Sequence, residues 1–319
     1  MGRPLRGAAA LLLLLATVTD VSAERITVGL TSLSPSALPI FAAEQKGYFK
    51  EEGLEVALPV FKSGTENSQA ILAGEVQIAF GSITEVLQLR KAQQNARFFW
   101  GISNIMPFRL YARPEIKSVQ DLKGKKLAVS TFGAQSDYLT QYTLRRFGVE
   151  PIKEAAILQV GSTPARYAAL KSGAVDATMM WFPQTLVAEK EGFRMLVDLA
   201  EIIPDWGYLG YYALASVLHG QREAVVKYIR AHQRGVRGVK GNPELGIGIL
   251  MQKLRYPRHV AEAGYKEYVK SFPDDGRLAI EGFQFLLDNE KKVGELEAHW
   301  TVDDMVDRSY VDLFGQKKN

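Results

Sequence analysis

The sequence predicts an α/β fold of two similar lobes joined by two extended crossings, with a C-terminal helical segment packed on the first lobe. Three observations lead there. The first is an echo: "LAGEVQIAFGS", from Leu72 to Ser82, returns later as "KSGAVDATMMW", from Lys171 to Trp181. The second is the pattern around each copy, which reads strand, loop, helix, strand, loop, helix, strand. Strands alternating with helices of this length imply parallel βαβ units with helices on both faces. The third is the last part of the chain, where "REAVVKYIRAHQRGVRGV", "HVAEAGYKEYVKSF" and "AIEGFQFLLDNEKKV" carry only a 3.6-residue apolar period.

Each element has a local reason. Residues 1–23 are expected to be an export signal: Arg3 and Arg6 form a basic start, Ala8 to Leu15 an apolar run, and Val21-Ser22-Ala23 a small-residue cleavage site. The apolar run is too short to span a bilayer. Lobe one then opens on "RITVGLTS", a β-branched strand entering a Ser/Thr-rich loop, followed by the amphipathic "AAEQKGYFKEEGLEV". Ser63 with Glu66, and Ser82 with Glu85, are spaced as capping boxes and start two further helices. "FRLYARPEIKSVQDLKGKK" carries the chain into lobe two, with Ser118 capping a short helix on the way. There the pattern repeats in "KKLAVSTFG" and "LTQYTLRRFGVEP", with Thr163 standing before Pro164, the favoured first helical residue. The aromatic stretch "WGYLGYYALAS", Trp206 to Ser216, is expected to run back to the first lobe. Lobe one is thus expected over 24–112 and 207–319, and lobe two, inserted within it, over 113–206. Two lobes on two crossings form a hinge, and hinged lobes close around ligands.

Composition removes several function classes. The chain has 319 residues and no cysteine, so disulfides, a thiolate nucleophile, zinc–cysteine sites and a lipid anchor on an N-terminal Cys are all excluded. An exported chain without cysteine fits the bacterial periplasm. The formal charge is +4, but the basic residues are scattered. Only "KLRYPRH", Lys253 to His259, is locally dense, so no nucleic-acid footprint is expected. His219, His232, His259 and His299 lie in the helical third, without ligand spacing, and read as exposed helix histidines. No nucleophile elbow, phosphate loop or dinucleotide motif is found, and nothing assembles into a nucleophile–base pair. The expectation is no catalytic site, no metal and no cofactor.

What stands at the predicted strand ends is small and polar: "TSLSPSAL", "FKSGT", "FGSIT" and "GISNIM" in lobe one, "STFGAQSD", "VGSTP" and "MWFPQ" in lobe two. Ligands of open parallel sheets bind outside the carboxyl ends of the strands. Most of these ends lead into helix N-termini, whose free N–H groups and positive dipole accept anions without Arg or Lys. Taken singly, each Ser or Thr reads at least as well as a helix cap. Arg109 and Asp137 are the charged residues at the margins of these loops.

Several stretches together resemble a known family: "LSPSALPIFAAEQKGYFKEEGLEV", "SGTENSQAILAGEVQIAFGS", "IKSVQDLKGKKLAVSTFGAQSDYLTQYTLRRFGV", "ALKSGAVDATMMWFPQ" and the closing "TVDDMVDRSYVDLF". They are similar to the periplasmic substrate-binding proteins of ABC importers, in the branch for sulfonates, nitrate, taurine and thiamine pyrimidine precursors. The resemblance implies the type II binding-protein fold, a monomer that holds one small molecule, and delivery to an ABC permease with its ATPase. It implies first-lobe contacts from the loop at Thr31 to Ala37, including Ser32, Leu33 and Ser36, and from Gly81, Ser82, Ser103 and Asn104. In lobe two it implies contacts from Thr131, Gly133, Ala134, Gln135, Ser136, Trp181 and Phe182. Trp181, Phe182 and Leu33 would form an apolar wall, and Tyr208 is the tyrosine of the return crossing expected in the cleft. A eukaryotic relative with this fold is a pyrimidine-forming enzyme with a cysteine-rich motif and an essential histidine, and the absence of cysteine departs from it. An exported enzyme on the same fold, or a ligand-binding module for a sensor, is the alternative.

Overall fold

The computed structural model describes residues 23–31, 33–203 and 206–315. The expected export signal therefore lies outside the described residues, apart from Ala23. The order of elements follows the two-lobe pattern. The first half contains β1 (Glu24–Leu30), α1 (Leu38–Gln45), α2 (Tyr48–Glu51), β2 (Leu54–Ala57), α3 (Gly64–Leu72), β3 (Ile78–Gly81), α4 (Ile83–Lys91) and β4 (Ala96–Ser103). The second contains β5 (Arg109–Ala112), β6 (Lys126–Val129), α5 (Gln135–Arg146), β7 (Ala156–Gln159), α6 (Thr163–Ser172), β8 (Ala177–Met180), α7 (Gln184–Lys190) and β9 (Arg194–Asp198). Then come β10 (Leu209–Leu214) and the helices α8 (Ala215–Gly220), α9 (Arg222–Gly241), α10 (Pro243–Leu254), α11 (Arg258–Tyr268), α12 (Ile280–Lys292) and α13 (Ser309–Gly315).

The strands form two five-stranded mixed sheets, ordered β2-β1-β3-β10-β4 and β7-β6-β8-β5-β9. In each, the three strands of the echo are parallel: β1 lies between β2 and β3, and β6 between β7 and β8. In each, the next strand is antiparallel and comes from beside a crossing. The echoed glycines explain the repeated phrase. Gly74 and Gly173 both turn the chain out of a helix with φ of +76° and +78°, in the left-handed region that side chains resist. Ser63 accepts the Glu66 N–H at 3.2 Å, and Ser82 and Glu85 close their box reciprocally.

The switch between sheets differs from the expected boundary. Strand β5 pairs with β8 and β9 in the second sheet, so the chain crosses over residues 104–108 and not after 112. It is back in the first sheet at β10, which begins at Leu209. The C-terminal helices pack on the first sheet's side, with α9 against α1. Their approach is close: a Cβ on Gly235 of α9 would meet the Pro39 carbonyl oxygen at 2.1 Å. His232 on the same helix is 1% exposed and lies edge-on to Tyr211 at 5.2 Å. It is a core residue, in contrast to the exposed histidine expected there, because helical spacing puts it with Tyr228, Ile229 and Val236 on the inward face.

Candidate functional site

A cavity of about 760 Å³ lies between the two sheets, at the carboxyl ends of their parallel strands. Lobe one contributes Thr31 and Leu33 after β1, Ser63 and Gly64 at the start of α3, and Glu85 on α4. Lobe two contributes Ser130 after β6, Ala134 to Ser136 at the start of α5, Thr163 and Arg166 on α6, and Trp181 and Phe182 after β8. Phe108 and Tyr208 come from the two crossings. The rings of Phe108 and Trp181 meet edge to face at 4.9 Å, and Phe108 meets Tyr208 at 5.7 Å. They make a continuous aromatic wall.

Of the residues expected at the site, Leu33, Ala134, Gln135, Ser136, Trp181, Phe182 and Tyr208 border this cavity. Ser32 lies outside the described residues. The others are placed elsewhere, mostly because a local partner takes their polar group. Ser36 is buried against Ser34. Gly81 faces Tyr212, whose ring a Cβ would meet at 2.7 Å. Ser82 is held by Thr84 and Glu85. Ser103 bonds Ser271 at 2.9 Å, and Asn104 borders a separate pocket of about 340 Å³ beside the first crossing. Thr131 donates to Thr65 of the opposite lobe at 3.1 Å. The Gly133 N–H donates to Asp137 at 2.9 Å. Even Ser136, at the cavity, accepts the Ser130 N–H at 2.9 Å. Phe182 is 1% exposed and packs on Tyr256 and Tyr268, so most of its ring belongs to the contact between lobes. Arg109, expected at the margin, pairs with Asp198 at 2.8 Å.

The site's strongest feature was not read from the sequence. Arg166 is fully buried, and its four hydrogen bonds all go to neutral oxygens. Nε donates to Thr178 Oγ1 at 3.2 Å, Nη1 to the Gly161 carbonyl at 2.7 Å, and Nη2 to Thr163 Oγ1 and the Met179 carbonyl, both at 3.1 Å. The guanidinium lies 5.4 Å from the centre of the Trp181 ring. Among the described residues no carboxylate forms an ion pair with it, and burial pulls its pKa down to about 9. A buried charge without a counter-charge is costly. The signal was in the sequence: Thr163, Arg166 and Leu170 follow helical spacing and are the buried residues of α6. Lys62, Lys253 and Arg255 stand exposed at the cavity's edge. The last two belong to the dense "KLRYPRH" run.

Glu85 is 4% exposed. Its Oε2 accepts the Ser82 N–H at 2.8 Å and the Ser82 hydroxyl. Burial pushes its carboxyl pKa up, while the Ser82 hydrogen bonds and the backbone N–H of Gln135, across the cleft, pull the other way. The N-terminus of α4, one of the expected anion seats, is therefore filled by the chain's own carboxyl group. Among the described residues no cluster of His, Asp or Glu is arranged to hold a metal ion, and no helix is long and apolar enough to cross a membrane.

Two mixed five-stranded sheets, two crossings and a cavity between them define the fold of the periplasmic binding proteins. The family model described as "NMT1/THI5 like" matches residues 34–245, and the chain belongs to that family. YtlA of Bacillus subtilis (strain 168) is 24% identical over 289 residues, which cover 88% of this chain and 86% of YtlA. The 4-amino-5-hydroxymethyl-2-methylpyrimidine phosphate synthase THI13 of Saccharomyces cerevisiae is 30% identical over 168 residues, 49% of this chain and 46% of THI13. Among solved structures, the alkanesulfonate-binding protein SsuA from Xanthomonas axonopodis pv. citri, bound to MOPS, superposes with a TM-score of 0.73 at 17% identity. It covers 89% of this chain and 98% of SsuA. That likeness is one of fold.

Proposed function

We propose that this protein binds a small organic anion in the cavity between its lobes, by hinge closure in the periplasm, and delivers it to an ABC permease. The observation that carries the reading is Arg166: a fully buried guanidinium, bordering the cavity, whose donors meet only neutral oxygens. A ligand's sulfonate or carboxylate would supply the missing counter-charge through charge-assisted hydrogen bonds. Trp181, Phe108 and Tyr208 would hold a planar or alkyl body, and the exposed Lys62, Lys253 and Arg255 would draw an anion toward the cleft. The fold shared with a protein named for alkanesulfonate binding supports this assignment.

A second reading has one observation behind it. THI13, which is 30% identical over about half of this chain, is named as a synthase. An enzyme here would have to work without any cysteine. A thermal-shift and calorimetric screen of sulfonates, aromatic carboxylates and pyrimidines tests both. The binder reading predicts an acid of micromolar affinity or better that is recovered unchanged. Turnover of a pyrimidine precursor, with no stabilising acid, would overturn it.

A further inference from the structure

The cavity holds a second buried charge-bearing group, of opposite sign and from the opposite lobe. Glu85 is the one acidic residue bordering it among the described residues. As the third residue of its capping box it uses Oε2 for Ser82. Oε1 lies over Gly64, which also borders the cavity, so close that a Cβ there would meet it at 2.0 Å. Arg166 and Glu85 form no ion pair with each other. Tyr208 stands within electrostatic reach of both: after burial and Glu267, it is Arg166 and Glu85 that move its pKa, in opposite directions. A guanidinium from lobe two, an aromatic wall and a carboxyl from lobe one therefore share one small space. A simple anion would answer only the first of these groups.

We propose that Glu85 selects the far end of the ligand, so that the cavity takes an organic acid that also carries an N–H donor, an amine or amide, across its body from the acid. The inference rests on the reading of Arg166 given above. When the lobes close, the ligand's acid meets Arg166, which gains the counter-charge it lacks, and its N–H group meets the Glu85 carboxyl, which gains a donor beyond Ser82 and Gln135. Lobe-one specificity then comes from a side chain at the first turn of α4, where the Ser82 and Glu85 N–H groups are already engaged in the capping box.

The test uses the full chain and matched ligand pairs: 4-aminobenzenesulfonate against benzenesulfonate, 4-aminobenzoate against benzoate, and 3-aminopropanesulfonate against propanesulfonate. Calorimetry on the wild-type protein should give at least one pair in which the amine-bearing member binds about tenfold or more tightly. Glu85→Gln keeps a residue able to close the capping box, and thermal melting checks that it folds. It should erase that preference while leaving the amine-free member nearly unchanged. Equal binding within every pair, no binding by either member of any pair, or a preference that survives Glu85→Gln would overturn the proposal. Arg166→Met separates the two readings, because it should weaken both members of a pair. If it weakens neither, the anion reading itself fails. If it weakens both while Glu85→Gln changes no ratio, only the selection by Glu85 fails.

Discussion

Replacing Arg166 with Met removes the buried charge while keeping a long side chain, and the structure sets the expected balance. Burial pulls the guanidinium pKa from its ordinary value down to about 9, which at 1.36 kcal/mol per pH unit corresponds to an unrepaid desolvation cost on the order of 5 kcal/mol. Against its removal stand four lost hydrogen bonds, to Thr178, Gly161, Thr163 and Met179. Each oxygen left without its donor costs about 1–3 kcal/mol. The Thr178 hydroxyl keeps its bond to the Ala128 carbonyl at 2.8 Å, which limits the loss there. The two sides nearly cancel, so the ligand-free variant should melt within about 10 °C of the wild type. Ligand binding should suffer far more, since the acid would lose its one buried counter-charge: about 2–4 kcal/mol, or some thirty- to thousandfold in Kd. Thermal denaturation with and without ligand, together with calorimetry, reads both quantities. A variant that melts far below the wild type yet binds as tightly would refute the reasoning, because Arg166 would then be only a tie between α6 and the end of β8.

Two further outcomes are expected. Trp181→Ala removes a half-buried ring that meets Phe108 at 4.9 Å and borders the cavity, so it should weaken the ligand by about tenfold or more; unchanged affinity would return the ring to the lobe core. Among the described residues neither ring nitrogen of His232 has a hydrogen-bond partner, and burial drives its pKa from 6.5 down to about 3. The unfolded chain therefore takes up the proton first. Stability is unaffected above about pH 6.5 and falls as pH drops from there toward 3, by on the order of 1.4 kcal/mol per pH unit. Urea unfolding at pH 7 and pH 4.5 should show a loss on the order of 2–3 kcal/mol that His232→Leu removes; equal losses in both proteins would contradict the assignment.

The lobes were legible because their information is local. Gly74 and Gly173 mark the same turn in two copies, and the capping boxes at Ser63 and Ser82 name helix starts. The exchange that completes each sheet was less legible. That β5 joins the second sheet depends on pairing with β8 and β9, far along the chain, and no residue of "RLYA" announces it. Strand-end Ser and Thr residues carry two meanings for a physical reason. Ser82, Ser103, Thr131 and Ser136 all have protein partners at hydrogen-bond distance, so the residue type that suggests a ligand also satisfies the backbone and its neighbours. Arg166 was overlooked for the opposite reason. Basic side chains are usually exposed, and only its place on the inward stripe of α6 gives it away. His232 hides in the same manner on α9.

The central claim is that a small acid completes a buried, unpaired guanidinium between two closing lobes. Its most direct test is a crystal structure of the protein with a ligand found by the calorimetric screen. The account predicts the ligand between the sheets, with an acidic oxygen within hydrogen-bond distance of the Arg166 guanidinium and its body against Trp181 and Tyr208. A ligand whose acid sits on helix N–H groups away from Arg166, or that binds outside this cavity, would contradict it.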